Sequence, residues 1–362
     1  MLDHPTVGAA DSEVPTPSLV LDEDRLNGNI IRMAAFAASR GLGLRPHVKT
    51  HKSIEIARRQ RAAGARGITV ATIGEAQVFA EAGFDDIFVA YPLWLDHDKT
   101  RRLLQVVDQT NLIVGVDSAE GAARLAEAMA GRRHRVRVLV EVDSGHHRSG
   151  GPGHGAGGIA AAAASAGLDV AGVFTFPGHS YAPEHRAGAA AEESLALAEA
   201  VEALARQGIV ARIVSGGSTP SAAHADPTVL TEMRPGSYVF NDAQQWELGS
   251  CTVTDLALTV TATVVSRRSD HVIADAGSKV LSSDRGAYST GFGRLPAAPA
   301  ARVTTLSEHH ATITGVAYDP GTRISIAPNH CCVAVNLADA YVVTRAGQVV
   351  DRWPVDARGH NR

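Results

Sequence analysis

From about Thr16 to Gly236, short apolar runs alternate with alanine-rich stretches of helical spacing. Ser18–Leu21, Leu44–Lys49, Gly67–Thr72, Ile87–Ala90, Leu112–Asp117, Val136–Asp143, Val170–Phe176 and Arg212–Ser215 read as strands, with a further run at Ser237–Phe240. Between them, Glu23–Arg40, Ile54–Ala63, Glu75–Ala82, Thr100–Asp108, Ala119–Ala130, Ile159–Ala166 and Ala189–Arg206 read as helices. Strands that each lead into a helix predict an α/β fold, a (β/α)8 barrel of TIM type, with a doubly wound open sheet as the alternative.

The pattern changes near Asp242. From Cys251 to Val265 threonine alternates with apolar residues, and short β-type runs follow at Val272–Ala274, Thr312–Thr314, Arg323–Ala327 and Ala340–Val343. This predicts a barrel over residues 16–244 and a smaller, mostly β domain over residues 245–362. The first dozen residues are expected to form a loose terminus.

Composition narrows the function. With 34 Lys+Arg against 38 Asp+Glu and no basic block, the chain is a poor partner for nucleic acid or an anionic membrane. Its longest apolar stretches, such as Gly158–Leu168, are too short to span a bilayer, and Met1-Leu2-Asp3-His4-Pro5 does not open a signal peptide. The chain has 3 cysteines, which excludes a disulfide framework and favours the cytoplasm. Its only lysines are Lys49, Lys52, Lys99 and Lys279, so an amine nucleophile has few candidates.

Four segments could carry chemistry. In Arg45-Pro46-His47-Val48-Lys49-Thr50-His51-Lys52, strand alternation would place Arg45, His47 and Lys49 on one face, with Lys49 at the strand's C-terminal end. Cationic neighbours would favour the neutral amine that a Schiff base needs; a solvated basic loop is the plainer reading. Asp143-Ser144-Gly145-His146-His147-Arg148 could aim Arg148 over a site, or be a simple turn. Ser215-Gly216-Gly217-Ser218-Thr219-Pro220 could turn backbone N–H groups toward a phosphate, and Tyr238 offers a phenol nearby. Finally, His330 and Cys332 stand two apart in Pro328-Asn329-His330-Cys331-Cys332. On an extended strand they would share one metal, with Cys331 facing away; a buried cysteine pair beside a turn histidine is the alternative.

Taken in order, these segments resemble the D-serine dehydratase and D-threonine aldolase family. The match also includes Thr16-Pro17-Ser18-Leu19-Val20, Gly74-Glu75-Ala76, Gly178-His179-Ser180-Tyr181, Arg234-Pro235-Gly236-Ser237-Tyr238 and Asp275-Ala276-Gly277-Ser278-Lys279. The family has the alanine racemase fold and uses pyridoxal 5'-phosphate. The resemblance implies that Lys49 holds the cofactor covalently and that Arg148 donates to its phenolic oxygen. Gly217, Ser218, Thr219 and Tyr238 would bind its phosphate. His179 and Tyr181 would stand on the substrate side, Tyr181 among the residues that bind the cofactor, and His330 and Cys332 would bind a divalent metal. No residue is assigned to the ring nitrogen. A homodimer and a small D-amino acid substrate are implied as well.

The implied activity is a metal-assisted lyase acting on D-3-hydroxy amino acids. Aldolase-like members tend to place a carboxylate where Cys332 stands, and dehydratase-like members a cysteine. Thiolate with imidazole favours zinc over manganese or magnesium, so dehydration of a D-serine-like substrate to a 2-keto acid and ammonia is expected ahead of retro-aldol cleavage. Lys49 would be the base for the Cα proton, and His179 is a candidate base for the aldol route. An amino-acid racemase and a non-catalytic pyridoxal phosphate-binding protein are the remaining alternatives.

Overall fold

The near-continuous apolar runs of the first two thirds become parallel strands, as segments buried on both sheet faces do. The computed structural model describes residues 14–362, so the loose terminus expected over the first dozen residues lies outside the described part. Regular structure begins with β1 (Ser18–Asp22) and α1 (Glu23–Ser39). Then come β2 (Gly43–Leu44), α2 (Ile54–Ala62), β3 (Ile68–Val70), α3 (Ile73–Glu81), β4 (Asp86–Pro92), α4 (His97–Val107), β5 (Asn111–Val116), α5 (Ala119–Ala128) and β6 (Val136–Glu141). They are followed by α6 (Ala156–Ser165), β7 (Asp169–Phe174), α7 (Arg186–Ala205), β8 (Ile213–Gly216) and β9 (Glu232–Met233).

These eight strands from β2 onward pair in the order β2-β9-β8-β7-β6-β5-β4-β3, all parallel. A parallel bridge between His47 and Thr69 joins the two ends and closes the sheet into a barrel. Side-chain caps start three of the helices: Thr72 accepts from Glu75 N on α3, Asp96 from Lys99 N on α4, and Ser118 from Gly121 N on α5. Phe88, Ile113, Leu139, Ala171 and Phe174 form a buried cluster, with the Phe88 and Phe174 rings edge to face at 5.0 Å. Gly172 is required here: its φ is +152°, and a Cβ would come within 1.9 Å of the Ile213 carbonyl.

Arg45 does not share a face with Lys49. It is buried, with Nε 3.0 Å from Glu232 Oε1 and Nη1 2.8 Å from Asp86 Oδ1. The reason is local: β2 is only two residues long, and the chain then turns, so that Val48–Thr50 is a 3-10 turn and not the end of a strand. Ser237–Phe240 is not a strand either. Its apolar side chains are buried at another 3-10 turn, Ser237–Val239, while the ninth strand is the two-residue, buried Glu232–Met233.

A second unit carries α8 (Ala243–Glu247), β10 (Leu258–Arg267), β11 (His271–Ala274), α9 (Ser278–Leu281), β12 (Gly293–Leu295), β13 (Ala298–Leu306), β14 (Ala311–Thr314), β15 (Arg323–Pro328), α10 (Cys331–Leu337), β16 (Ala340–Arg345) and β17 (Gln348–Pro354). Its nine-stranded sheet runs β11-β14-β13-β12-β15-β10-β1-β16-β17, and an added β10–β11 pairing curls part of it into an antiparallel barrel. In β10, Leu258, Val260, Ala262 and Val264 are buried, so the threonine alternation marks a half-buried strand. β1 belongs to this sheet and not to the parallel barrel; it pairs antiparallel with β10 and parallel with β16. Residues 32–49, 56–236 and 359–362 form the parallel-barrel unit, and residues 14–31, 50–55 and 237–358 form the other. Among the described residues no helix is long and apolar enough to cross a membrane.

Candidate active site

At the C-terminal ends of the parallel strands lies a cavity of about 490 Å³. Strand after strand contributes to its wall from the segment that follows it: Lys49 after β2, Asp117 after β5, Arg148 after β6, Phe176 after β7, Gly217 after β8 and Arg234 after β9. This is the end where barrel loops converge. Lys49 Nζ lies 5.8 Å from the centroid of the Phe176 ring, and the Arg148 guanidinium lies 5.4 Å from the same ring. His47 also lines the cavity. Enclosure first, and then the charges of Lys49, Arg234 and Arg148, hold its pKa well below the ordinary imidazole range. Its Nδ1 is buried without a hydrogen-bond partner.

Arg234 is buried and fixed. Nη1 donates to Ser215 Oγ at 2.6 Å and Nη2 to the Thr175 carbonyl at 2.6 Å, with the guanidinium over the rings of Phe88 and Phe174. Burial lowers its pKa to about 10, against the pull of Glu232, Glu193 and Glu141, so it stays charged at neutral pH. Glu141 Oε1 accepts from Ser149 Oγ at 2.9 Å, while Oε2 is buried with no partner.

The loop after β8 is built differently from the expectation. Gly217, at φ +79°, turns its N–H inward to Glu193 Oε1 at 2.7 Å. Ser218 N–H donates to Ser221 Oγ at 3.0 Å, and Ser218 Oγ lies 2.8 Å from Ser180 Oγ. Glu193, on α7, packs so closely that a Cβ on Gly216 would come within 2.4 Å of its Oε1. Burial raises the Glu193 pKa to about 7, opposed by the Gly217 N–H and Arg234. Thr219 is buried beside this loop.

His179 stands in the 3-10 turn Gly178–Ser180 after β7, with Nε2 2.8 Å from Glu192 Oε2. The ring of Tyr181 lies 6.5 Å from that of Phe176. The parallel-barrel unit therefore brings Lys49, Arg148, Gly217, His179 and Tyr181 to one end of one barrel. Sequence reasoning assigned no role to Arg234, Glu193, His47 or Asp117, although it set His47 on one face with Lys49. Asp117 closes a strand-like run, which was the available signal; Arg234 follows the two-residue β9, which is too short to read, and Glu193 lies within an alanine-rich helix.

Tyr238, His330 and Cys332 belong to the other unit. Tyr238 is buried in the turn Ser237–Val239. His330 and Cys332 do converge, but not on a strand: His330 is the extended N-cap residue of α10, and Cys332 lies in its first turn. The helix starts here because Cys331 N–H is held by Asp242 Oδ2 at 3.0 Å. Cys331 is fully buried, whereas Cys332 is partly exposed, with Sγ donating to Thr50 Oγ1 at 3.3 Å. His330 Nδ1 lies 2.5 Å from Asp284 Oδ2, which leaves Nε2 for a metal. Burial pulls the His330 pKa down, but Cys332 and Asp284 outweigh it and hold the imidazole well above its ordinary range. Asp284 is a further residue that no sequence pattern linked to His330.

The alanine racemase N-terminal domain model matches residues 21–244, and the serine dehydratase domain model matches residues 257–344. D-threo-3-hydroxyaspartate dehydratase from Delftia sp. (strain HT23) is 34% identical over 93% of this chain and 96% of its own. The crystal structure of D-threonine aldolase from Filomicrobium marinum has a TM-score of 0.87 at 33% identity, covering 96% of each chain. A mutant of D-threo-3-hydroxyaspartate dehydratase solved in the metal-free form has a TM-score of 0.88 at 33% identity, covering 96% of this chain and 99% of that one.

Proposed function

The chain belongs to the D-serine dehydratase and D-threonine aldolase family of the alanine racemase fold, and on that premise we propose that it dehydrates D-3-hydroxy amino acids of the D-serine type. It is a pyridoxal phosphate-dependent lyase of D-amino acids. The cavity suits that cofactor: an amine, two guanidinium groups and the unpartnered Nδ1 of His47 meet around a space of about 490 Å³.

Bound pyridoxal phosphate supplies an electron sink for charge developing at the substrate Cα. Lys49 is the amine that would hold it covalently and, once released, take the Cα proton. Arg148 would donate to the phenolic oxygen. Arg234, locked on Ser215 and Thr175, presents a permanent cation to the cavity and is our candidate for the ring nitrogen. Gly217, Ser218 and Thr219 would flank the phosphate through groups other than the Gly217 and Ser218 N–H, which Glu193 and Ser221 hold; Tyr238 stays the phenol that the family resemblance assigns to it. Tyr181 would close the substrate side.

The observation that carries the choice of reaction is the donor set in the first turn of α10. His330, oriented through Nδ1 by Asp284, and Cys332 would hold a divalent metal, and imidazole with thiolate favours zinc before manganese or magnesium. Such a metal supplies a strong Lewis acid for a departing 3-hydroxyl group. A second reading, retro-aldol cleavage, is favoured by His179, a candidate base for the 3-hydroxyl proton in the turn after β7 with Glu192 Oε2 2.8 Å from its Nε2. Family membership supports a homodimer, and three cysteines without a disulfide support the cytoplasm.

A product assay on D-serine and D-threonine with added zinc or manganese separates the readings. Pyruvate or 2-oxobutyrate with ammonia is expected. Glycine with acetaldehyde from D-threonine, and no keto acid, would overturn dehydration.

A further inference from the structure

One cluster outside the cavity wall and the His330 group has ligand geometry. Among the described residues, His179, His185 and Glu192 form a group whose nitrogen and oxygen atoms all lie within 4.8 Å of one another. Their placement follows from the fold of the parallel-barrel unit. His179 stands in the turn after β7, His185 is the N-cap residue of α7, and Glu192 lies two turns into that helix on the same face as His185. Glu192 Oε2 is 2.8 Å from His179 Nε2 and 3.6 Å from His185 Nε2. The two imidazole rings are 5.6 Å apart and tilted by 54°.

The contact between His179 and Glu192 is close but poorly aligned. Both ring nitrogens of His179 are buried with no hydrogen bond of good geometry, although Nε2 sits at 2.8 Å from the carboxylate. His179 Nε2 is therefore not committed to an aligned hydrogen bond and is open to an ion. Tetrahedral zinc with bonds of about 2.0–2.2 Å separates its ligand atoms by about 3.4 Å, and 2.8 and 3.6 Å fall on either side of that. His185 and Glu192 are half-exposed, at 45% and 49%, so an ion can enter and water can fill a fourth position.

We propose that His179, His185 and Glu192 bind a second divalent transition metal, zinc by ligand chemistry, at a site built from different residues than His330 and Cys332. Two imidazoles and one carboxylate with an open position form a zinc donor set of the catalytic kind. Metal on His179 Nε2 would withhold that nitrogen from proton transfer. The binding proposal itself holds whether or not His179 takes part in turnover.

The test is zinc stoichiometry of the holoenzyme, by equilibrium dialysis and elemental analysis. Wild type should bind two equivalents. His185→Ala and Glu192→Gln should each weaken one equivalent by more than about tenfold, while Cys332→Ala should spare that equivalent and lose the other. Combining His185→Ala with Cys332→Ala should remove both, with circular dichroism reporting an intact fold. A single equivalent in wild type that persists in His185→Ala would overturn the site, as would a second equivalent that survives both His185→Ala and Glu192→Gln. A single equivalent lost in His185→Ala but kept in Cys332→Ala would uphold this site and remove the metal role of His330 and Cys332.

Discussion

Glu193→Gln should become steadily more favourable to stability, relative to wild type, as the pH rises. Glu193 is fully buried, its Oε1 accepts the Gly217 N–H at 2.7 Å, and its Oε2 is buried with no partner. Burial raises its pKa from the ordinary 4.5 to about 7, despite the Gly217 N–H and Arg234. The folded state therefore binds this proton more tightly than the unfolded chain does. Stability from this group is fully present below about pH 4.5 and is lost as the pH rises through 7. At about 1.4 kcal/mol per pH unit, the loss comes to about 3 kcal/mol. Glutamine keeps an acceptor for Gly217 and has no charge to desolvate, so it escapes that loss. Urea unfolding of the two holoenzymes should show the difference in stability shifting toward the variant by about 3 kcal/mol between pH 4.5 and 8. A cofactor phosphate on the Gly217 loop would repel the carboxylate and push the same way. The reasoning fails if the stability difference is the same at both ends, or if glutamine costs most at pH 8. Either result would mean that Gly217 and Arg234 hold the carboxylate as an anion.

Borohydride reduction followed by peptide mapping should fix the cofactor to Lys49, and Lys49→Ala should lose that product while staying folded; a tag on Lys52, Lys99 or Lys279 would refute the assignment. His330→Ala and Cys332→Ala should each abolish turnover with added zinc and lose metal in elemental analysis. Cys331→Ala should keep both and instead lose about 1–2 kcal/mol of stability, because it opens a small cavity around a fully buried side chain; equal metal loss from Cys331→Ala would mean that the wrong cysteine was chosen.

The parallel barrel was legible because strands buried on both faces carry near-continuous apolar runs, and β4 to β7 do so at their centres, as in Ile87–Ala90, Leu112–Val116, Val138–Val140 and Val170–Phe174. What was not legible is which sheet a strand joins. Leu19, Val20 and Leu21 are buried, and that pattern would look the same in either sheet, so β1 was read as the first barrel strand. Edge and polar strands were missed for the opposite reason: β17 is exposed along nearly its whole length, and β9 is two residues long. At the site, the strand-end rule led to Lys49 and Arg148, which both line the cavity, although Lys49 sits in a 3-10 turn and not at a strand end. It misread Arg45, whose charge goes to Glu232 and Asp86, because ion partners distant in sequence leave no local mark. His330 and Cys332 do lie close together, but at the start of a helix and not on the strand that the spacing implied, since the cap that Asp242 gives to Cys331 comes from 89 residues away.

The position of β1 also bears on how the chain is made. Synthesis runs from the N-terminus, so β1 leaves the ribosome ahead of everything else described, yet its sheet neighbours β10 and β16 begin only at Leu258 and Ala340. Strands β3 to β8 meet their neighbours consecutively and can pair as they emerge. Throughout that interval the apolar Leu19-Val20-Leu21 must wait without its lattice of partners, as a nascent segment open to chaperones or to stray pairing. A strand that joins β10 to β16 in the finished sheet is thus an exposed apolar segment for most of translation.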